Sequence, residues 1–307
     1  MIVVRLKGGL GNQMFQYALS RSISIKNNSS VAFDVLMLHD HSSNHSNMVH
    51  RFFDLDIFEL PKFDFVSKKE SDYYNGIPSS SLIGKLKNRL VKIVRPLRLV
   101  LEKDKSFDSS MLDVKDDYCI VGSFQSPNYF EEYRGTLLED FNIKEEYLDT
   151  ESFRKHKKVI EESVGSVSIQ VRRGDYVSNS LYSDMLGSQP VEYYLKAIQR
   201  IKEKVSNPQF FVFSDDIDWC KENFKSITNI TYVESEMSKK GMASDLKLMS
   251  LCKHNIVSNS SFAWWGAWMN RNIDKVVIAP KLWVTEKYQS DMNVNPIDIL
   301  PKKWIQL

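Results

Sequence analysis

The sequence predicts an α/β protein built on parallel, doubly wound sheets. Three observations carry this reading. Short apolar runs alternate with amphipathic helical stretches through residues 167–279, the pattern of β–α–β crossovers rather than of hairpins. The chain opens on an apolar strand that passes directly into a glycine-rich turn and a helix. Its 307 residues suit about two domains and give length for two hydrophobic cores.

Taken in order, residues 2–6 form the first strand, the glycines Gly8, Gly9 and Gly11 make the turn, and residues 12–26 make the helix. A second strand, 31–35, carries Asp34. The polar loop 39–50 holds His39, His41, His45 and His50, at spacings that match no metal-ligand pattern, so no metal is assigned. Residues 81–105 mix Lys and Arg with Leu, Ile and Val around Pro96, which breaks or kinks a helix. Such a stretch suits peripheral contact with an anionic membrane surface, and equally a solvated helix face packed on the first domain. A strand at 120–124 and a helix from 128 onward close that domain, so the division falls between 1–150 and 151–307.

In the second half, strands at 167–171, 210–213, 231–233, 255–258 and 276–279 alternate with helices at 191–204, 217–223, 243–252 and 261–269. Open parallel sheets hold ligands beyond the carboxyl ends of their strands. Arg172, Asp215 and Ser260 all fall at such ends.

Three segments carry candidate chemistry. Strand 167–171 runs into Arg172-Arg173-Gly174-Asp175. Two guanidiniums at a strand end are costly to desolvate unless anions meet them, and their planar fork matches phosphate oxygens. Pairing of an arginine with Asp175 at an ordinary strand-to-loop junction is the competing reading. In the N-terminal turn, three glycines allow close approach of a ligand and positive φ, and the helix start offers free N–H groups. Asn12 and Gln13 add amide donors there. The pattern is neither G-x-G-x-x-G nor a P-loop, and a tight strand-to-helix turn would also use a glycine. Finally, Ser258-Asn259-Ser260-Ser261-Phe262 precedes an aromatic helix with Trp264, Trp265 and Trp268. The serines serve either as caps or as a phosphate cradle, and the tryptophans as core.

Together with Phe213-Ser214-Asp215-Asp216, these segments resemble glycosyltransferase family 11, the α-1,2-fucosyltransferases, and more distantly the other fucosyltransferases with an His-x-Arg-Arg-x-Asp motif. The histidine of that motif is Gln170 here. The resemblance implies the GT-B architecture, two Rossmann-like domains facing across a cleft, with acceptor side 1–150 and GDP-fucose side 151–307. It implies that Arg172 holds the diphosphate of GDP-fucose, with Arg173 assisting or structural. Asp175 orients the arginines, or less readily acts as base, and Ser260, Ser261 and Phe262 meet phosphate oxygens through main-chain N–H groups. The glycine turn, with Gly9, Gly11, Asn12 and Gln13, is counted with the donor site, and Asp215 with the nucleotide pocket. Asp245 lies sixteen residues before Ser261 (261 − 245), a spacing similar to that of a guanine-binding aspartate in related enzymes. A carboxylate accepts from guanine N1–H and N2–H together. Capping of a helix at 246–252 is the other reading of Asp245.

The implied reaction is inverting transfer of L-fucose from GDP-β-L-fucose to the 2-hydroxyl of a terminal β-galactose, in a lipid-linked O-antigen or related glycan. No cofactor and no metal are expected. Asp216-x-Asp218 after a strand also fits the metal-binding D-x-D of a GT-A enzyme, against a helix start capped by Ser214 or Asp215. No spacing singles out a catalytic base among Asp34, His39 and Asp175.

Composition excludes other classes. A formal charge of +2 argues against nucleic acid as partner. Three cysteines suggest neither a disulfide framework nor a zinc site, and reduced thiols fit a cytoplasmic setting. No signal peptide or apolar run of about 20 residues is visible. A bacterial cytoplasmic enzyme, bound at most peripherally to the inner face of the membrane, is the expectation.

Overall fold

The computed structural model describes residues 1–39, 51–75, 98–103, 105–292 and 297–307. Among them the chain divides into two compact units, Met1–Asp56 with Leu60–Asp140, and Ile57–Glu59 with Phe141–Leu307. The division thus falls ten residues earlier than 150 (150 − 140), and a three-residue piece of the first half joins the second unit. That piece is held by main-chain hydrogen bonds from Lys144 N to Ile57 O (2.9 Å) and from Glu59 N to Asn142 O (2.8 Å), a pairing across sequence that no local pattern announces.

The first unit is a parallel sheet in the order β3-β2-β1-β5-β4, with β1 at Ile2–Arg5, β2 at Val31–Asp34, β3 at Asp64–Phe65, β4 at Leu99–Leu101 and β5 at Cys119–Val121. Every strand pair is parallel. Apolar Ile2, Val3 and Val4 are wholly buried, as strands covered on both faces must be. Leu99–Leu101, inside the basic stretch 81–105, is an edge strand paired with β5, so the helical reading does not extend to it. Residues 81–97 and 104, which carry most of the basic side chains of that stretch, lie outside the described residues, as do His41, His45 and His50. The helix expected from 128 is two 3-10 turns, Pro127–Tyr129 and Glu131–Tyr133, followed by the helix Arg134–Asp140. Pro127, capped by Ser126, opens the first turn, and Phe130 (φ −147°) interrupts it.

The second unit is a six-stranded parallel sheet in the order β11-β10-β9-β6-β7-β8, with β6 at Ser166–Val171, β7 at Gln209–Ser214, β8 at Ile230–Tyr232, β9 at His254–Ile256, β10 at Val277–Ala279 and β11 at Ile305–Gln306. Chain order runs outward from β6 in one direction and from β9 in the other. This is the doubly wound Rossmann order, and its switch point lies between β6 and β9.

All six residues of β6 are buried, yet its two faces differ. Val167, Ile169 and Val171 enter a core with Tyr194, Ala197, Ile198, Ile201 and Phe224. Ser166, Ser168 and Gln170 form a polar ladder toward the β9 segment. Ser166 Oγ accepts from Lys253 N (3.1 Å) and Ser168 Oγ from Asn255 Nδ2 (2.7 Å), while Gln170 Oε1 accepts from the Ser258 hydroxyl. Because buried polar groups are costly unless paired, this ladder specifies which strand lies beside β6. Trp264, Trp265 and Trp268, at most 2% exposed, are core as expected, and Trp264 Nε1 donates to Ile299 O.

Candidate functional site

In the second unit, the β6–helix turn brings four of the expected residues together. Arg172 Nη2 contacts Asp175 Oδ1 at 2.6 Å, and its Nη1 contacts Asp215 Oδ2 at 2.9 Å. Asp215 Oδ1 accepts from the backbone N–H of Arg173 at 2.8 Å. Arg173 Nε reaches Asp216 Oδ2 at 3.0 Å, and its guanidinium lies 4.3 Å from the Trp219 ring centre. Gly174 makes the approach feasible, since a Cβ there would come within 2.6 Å of Asp215 Oδ2.

Burial works against the Arg172 charge, and the Asp215 and Asp175 carboxylates more than offset it, so its pKa sits above the usual arginine value. Two guanidiniums thus face three carboxylates. Arg172 has five N–H donors, and these two contacts leave part of the fork for an incoming anion. Its ring neighbour Tyr176, 5.6 Å from the guanidinium carbon, donates to Asn259 O at 3.3 Å and so joins the β6 loop to the β9 loop.

The β9 loop leads into the helix Ser261–Met269, whose N-cap Ser260 makes no side-chain capping bond. The serine reading as a side-chain cap therefore fails at Ser260. Ser260 is 6% exposed, and Ser261 and Phe262 are partly exposed at the helix start. Asn259, one of the residues that motif reading did not single out, is 1% exposed. Its amide donates to Leu186 O, Gly187 O and Trp283 O.

Asp245 is not a cap. Its helix, Lys239–Leu251, begins six residues earlier (245 − 239), capped by Ser238 on Gly241 N at 3.1 Å. The carboxyl accepts from the Ser235 hydroxyl, and burial pushes its pKa up to about 7, with that hydrogen bond opposing. The cap of the helix Ile217–Asn223 is Asp216, accepting from Trp219 N at 3.1 Å, rather than Ser214 or Asp215. Asp216, the first acid of the D-x-D reading, is thus engaged by a helix N-terminus and by Arg173. Among the described residues no group of His, Cys, Asp or Glu is arranged to hold a metal ion.

In the first unit, Gly8 takes φ +76°, a left-handed turn that glycine adopts without penalty. Gly9 is the N-cap of the helix Leu10–Asn27. Gly11 is buried, and Asn12 is partly exposed and accepts from Gln125 Nε2 at 2.8 Å. Gln13 is wholly buried, donating to Gly8 O and Phe52 O and accepting from Asp54 N. Its amide ties the loop together. Arg51, which motif reading passed over, lies beside the turn, with Nη1 3.7 Å from where a Gly9 Cβ would stand. Asp34 is 0% exposed and bound by Arg5 Nε (2.8 Å), Ser71 Oγ (2.7 Å) and Leu36 N (3.2 Å). It is a structural carboxylate. The His39 side chain lies outside the described residues.

Two parallel Rossmann-like units, one with an arginine and a helix N-terminus at its switch point, place the chain in the GT-B class of glycosyltransferases. The fold is similar to that of the NodZ alpha-1,6-fucosyltransferase co-crystallized with GDP, with a TM-score of 0.51 and 12% identity over 86% of this chain and 91% of that one. The profile "Glycosyl transferase family 11" matches residues 1–307, and the chain belongs to that family. An Escherichia coli alpha-1,2-colitosyltransferase is 32% identical across 100% of this chain and 99% of its own length. The E. coli O-antigen biosynthesis glycosyltransferase WbnK is 32% identical across 98% and 99%. The protein is a glycosyltransferase. The GT-A alternative is overturned by the fold. No helix among the described residues is long and apolar enough to cross a membrane.

Proposed function

We propose that the protein transfers L-fucose from GDP-β-L-fucose, with inversion and without a metal, to the 2-hydroxyl of a terminal β-galactose of an O-antigen-type glycan. The observation that carries this reading is the position of Arg172, one residue beyond β6 at the switch point, beside the loop that opens the helix Ser261–Met269. A guanidinium and the N-terminus of a helix flank the switch point there, their two loops joined by the Tyr176–Asn259 bond, and such a pair suits a pyrophosphate. The motif set, which resembles the α-1,2-fucosyltransferases, supports the fucose donor. Likeness to an alpha-1,2-colitosyltransferase and to an O-antigen enzyme supports the linkage and the acceptor class.

As the glycosidic bond of the donor breaks, charge builds on the β-phosphate. Arg172, held in place by Asp175 and Asp215, neutralises it, and the helix start at Ser261 and Phe262 adds main-chain donors. Arg173 braces Asp216 and Trp219 and so fixes the turn. Asp245 accepts from guanine. In the first unit, Gln13 keeps the glycine turn of Gly9, Gly11 and Asn12 in shape.

Colitose, the 3-deoxy analogue of fucose, is the second reading, favoured by the 32% identity to the colitosyltransferase. Incubation with GDP-fucose or GDP-colitose, lactose and a chelator, followed by linkage analysis, tests both. A 2-linked α-fucoside formed in chelator supports the main reading. Transfer from GDP-colitose alone would shift the donor, and dependence on divalent metal would refute the mechanism.

A further inference from the structure

The first unit holds a cavity of about 330 Å³ lined by Glu102, Lys103, Phe107, Asp108, Met111 and Tyr129, among others. This lies at the lower end of the about 300–1,000 Å³ typical of small-molecule sites. Glu102 follows β4 directly, and its carboxylate accepts from Ser123 N and Phe124 N, both at 2.8 Å, just beyond β5. The cavity therefore sits at the carboxyl edge of the sheet, where open parallel sheets take ligands.

Two features mark that edge as built for more than chain connection. Phe124 is wholly buried at φ +51°, a conformation that costs free energy for a bulky side chain and clusters at functional sites. Gly122 leaves room that a Cβ would fill, since it would come within 2.5 Å of both Glu102 Cβ and the Phe124 ring. The same segment continues into Gln125, which donates to Asn12 of the glycine turn at 2.8 Å.

We propose that this cavity is a subsite for a hexose ring of the acceptor glycan. The inference rests on the glycosyl-transfer reading above and names the place where the first unit holds its saccharide. Phe107, partly exposed and packed T-shaped against the buried Tyr129 with ring centres 4.9 Å apart, offers an aromatic surface for the apolar face of a sugar. The polar lining mixes acceptors, on Glu102 and Asp108, with a donor, Lys103, and a polyol uses both. Asp108 spends Oδ1 on the Ser110 amide and hydroxyl, bonds that lower its pKa and keep it ionised. Its Oδ2 carries no hydrogen bond among the described residues. Glu102 Oε1 accepts one backbone N–H and retains a second acceptor position.

Steady-state kinetics of Phe107→Ala and Asp108→Asn, with lactose and each of GDP-fucose and GDP-colitose, test the proposal. Asparagine caps a helical turn as well as aspartate does, so Asp108→Asn keeps the local fold. The acceptor KM is expected to rise about tenfold in each variant, the loss of one charged hydrogen bond or ring contact, with the donor KM and GDP affinity unchanged. An unchanged acceptor KM in both variants, or a donor KM rising in step, overturns it. If wild-type protein turns over neither donor, the functional reading fails by itself. A crystal soaked in lactose then decides: a sugar ring in the cavity supports the subsite, and density elsewhere or nowhere refutes it.

Discussion

The Ser258 hydroxyl donates to Gln170 Oε1 across the switch point of the second sheet, joining the strand that leads into Arg172 to the loop that opens the helix at Ser261. Gln170 stands at the histidine position of the motif that the chain resembles, and the contact shows what an amide does there. The position needs a buried acceptor, which a neutral imidazole nitrogen also supplies. Gln170→His is therefore expected to fold and turn over near wild type. Gln170→Leu leaves the buried Ser258 hydroxyl without its partner, at a cost of about 1–3 kcal/mol. Thermal unfolding of the two variants checks the pair, and equal losses in both would contradict it.

Gly174 admits the carboxylate of Asp215 beside the turn. Gly174→Ala pushes against that flexible carboxylate and displaces it from Arg172, while leaving the helices and the sheet intact. Turnover is expected to fall about tenfold or more, since small misplacements at a reacting centre cost up to about 10²-fold. Circular dichroism should be unchanged. Full activity would show that the Arg172–Asp215 contact is dispensable.

With the Asp245 carboxyl held near pKa 7 by burial, the proposed guanine contact predicts that GDP binding depends on pH. Guanine needs the ionised form as acceptor of its two N–H groups. Affinity is expected to be about tenfold weaker at pH 6 than on its plateau above pH 8, by proton linkage. The stability consequence has the opposite sense. The folded pKa lies above the ordinary 3.8, so the native state holds the proton more tightly. Stability from this group is full below about pH 4 and is lost as pH rises through 7. Asp245→Asn should flatten the pH profile of GDP binding measured by calorimetry, and a profile unchanged by the substitution would remove Asp245 from the guanine site.

Much of the second unit was legible because its strands and helices alternate with few interruptions. The helix Ile217–Asn223 and the helix Ser261–Met269 have the bounds that the strand–helix alternation indicates. The first unit was harder. Its strands β3 and β4 are two and three residues long, too short for periodicity, and Leu99–Leu101 hides behind a run of basic residues. At the site, the strand ends indicated Arg172 and Asp215, and the pairing of an arginine with Asp175 was one of two readings of the turn. The roles of Gln170, Asn259 and Tyr176 were not legible, because their bonds reach residues 83 to 88 positions away in two cases and 24 to 73 in the third. The capping alternative for Asp245 fails because Ser238, seven residues upstream, starts the helix.

Cys119, Cys220 and Cys252 are free and buried. Burial pushes the Cys119 thiol up to about 12 and Cys220 to about 11, and raises Cys252 further. Thiolates are the reactive form, so a thiol reagent at pH 8 should label none of them in the folded protein and all of them in denaturant. Fast labelling of the native protein would contradict this burial.

The central claim is that the Arg172 guanidinium stabilises the departing GDP. Single-turnover transfer from GDP-fucose to lactose by Arg172→Ala, beside wild type and with folding checked by circular dichroism, tests it most directly. The expected loss is on the order of 10²–10³ in rate, as for other charge-stabilising donors. A folded Arg172→Ala protein that transfers fucose at near wild-type rate would contradict the account.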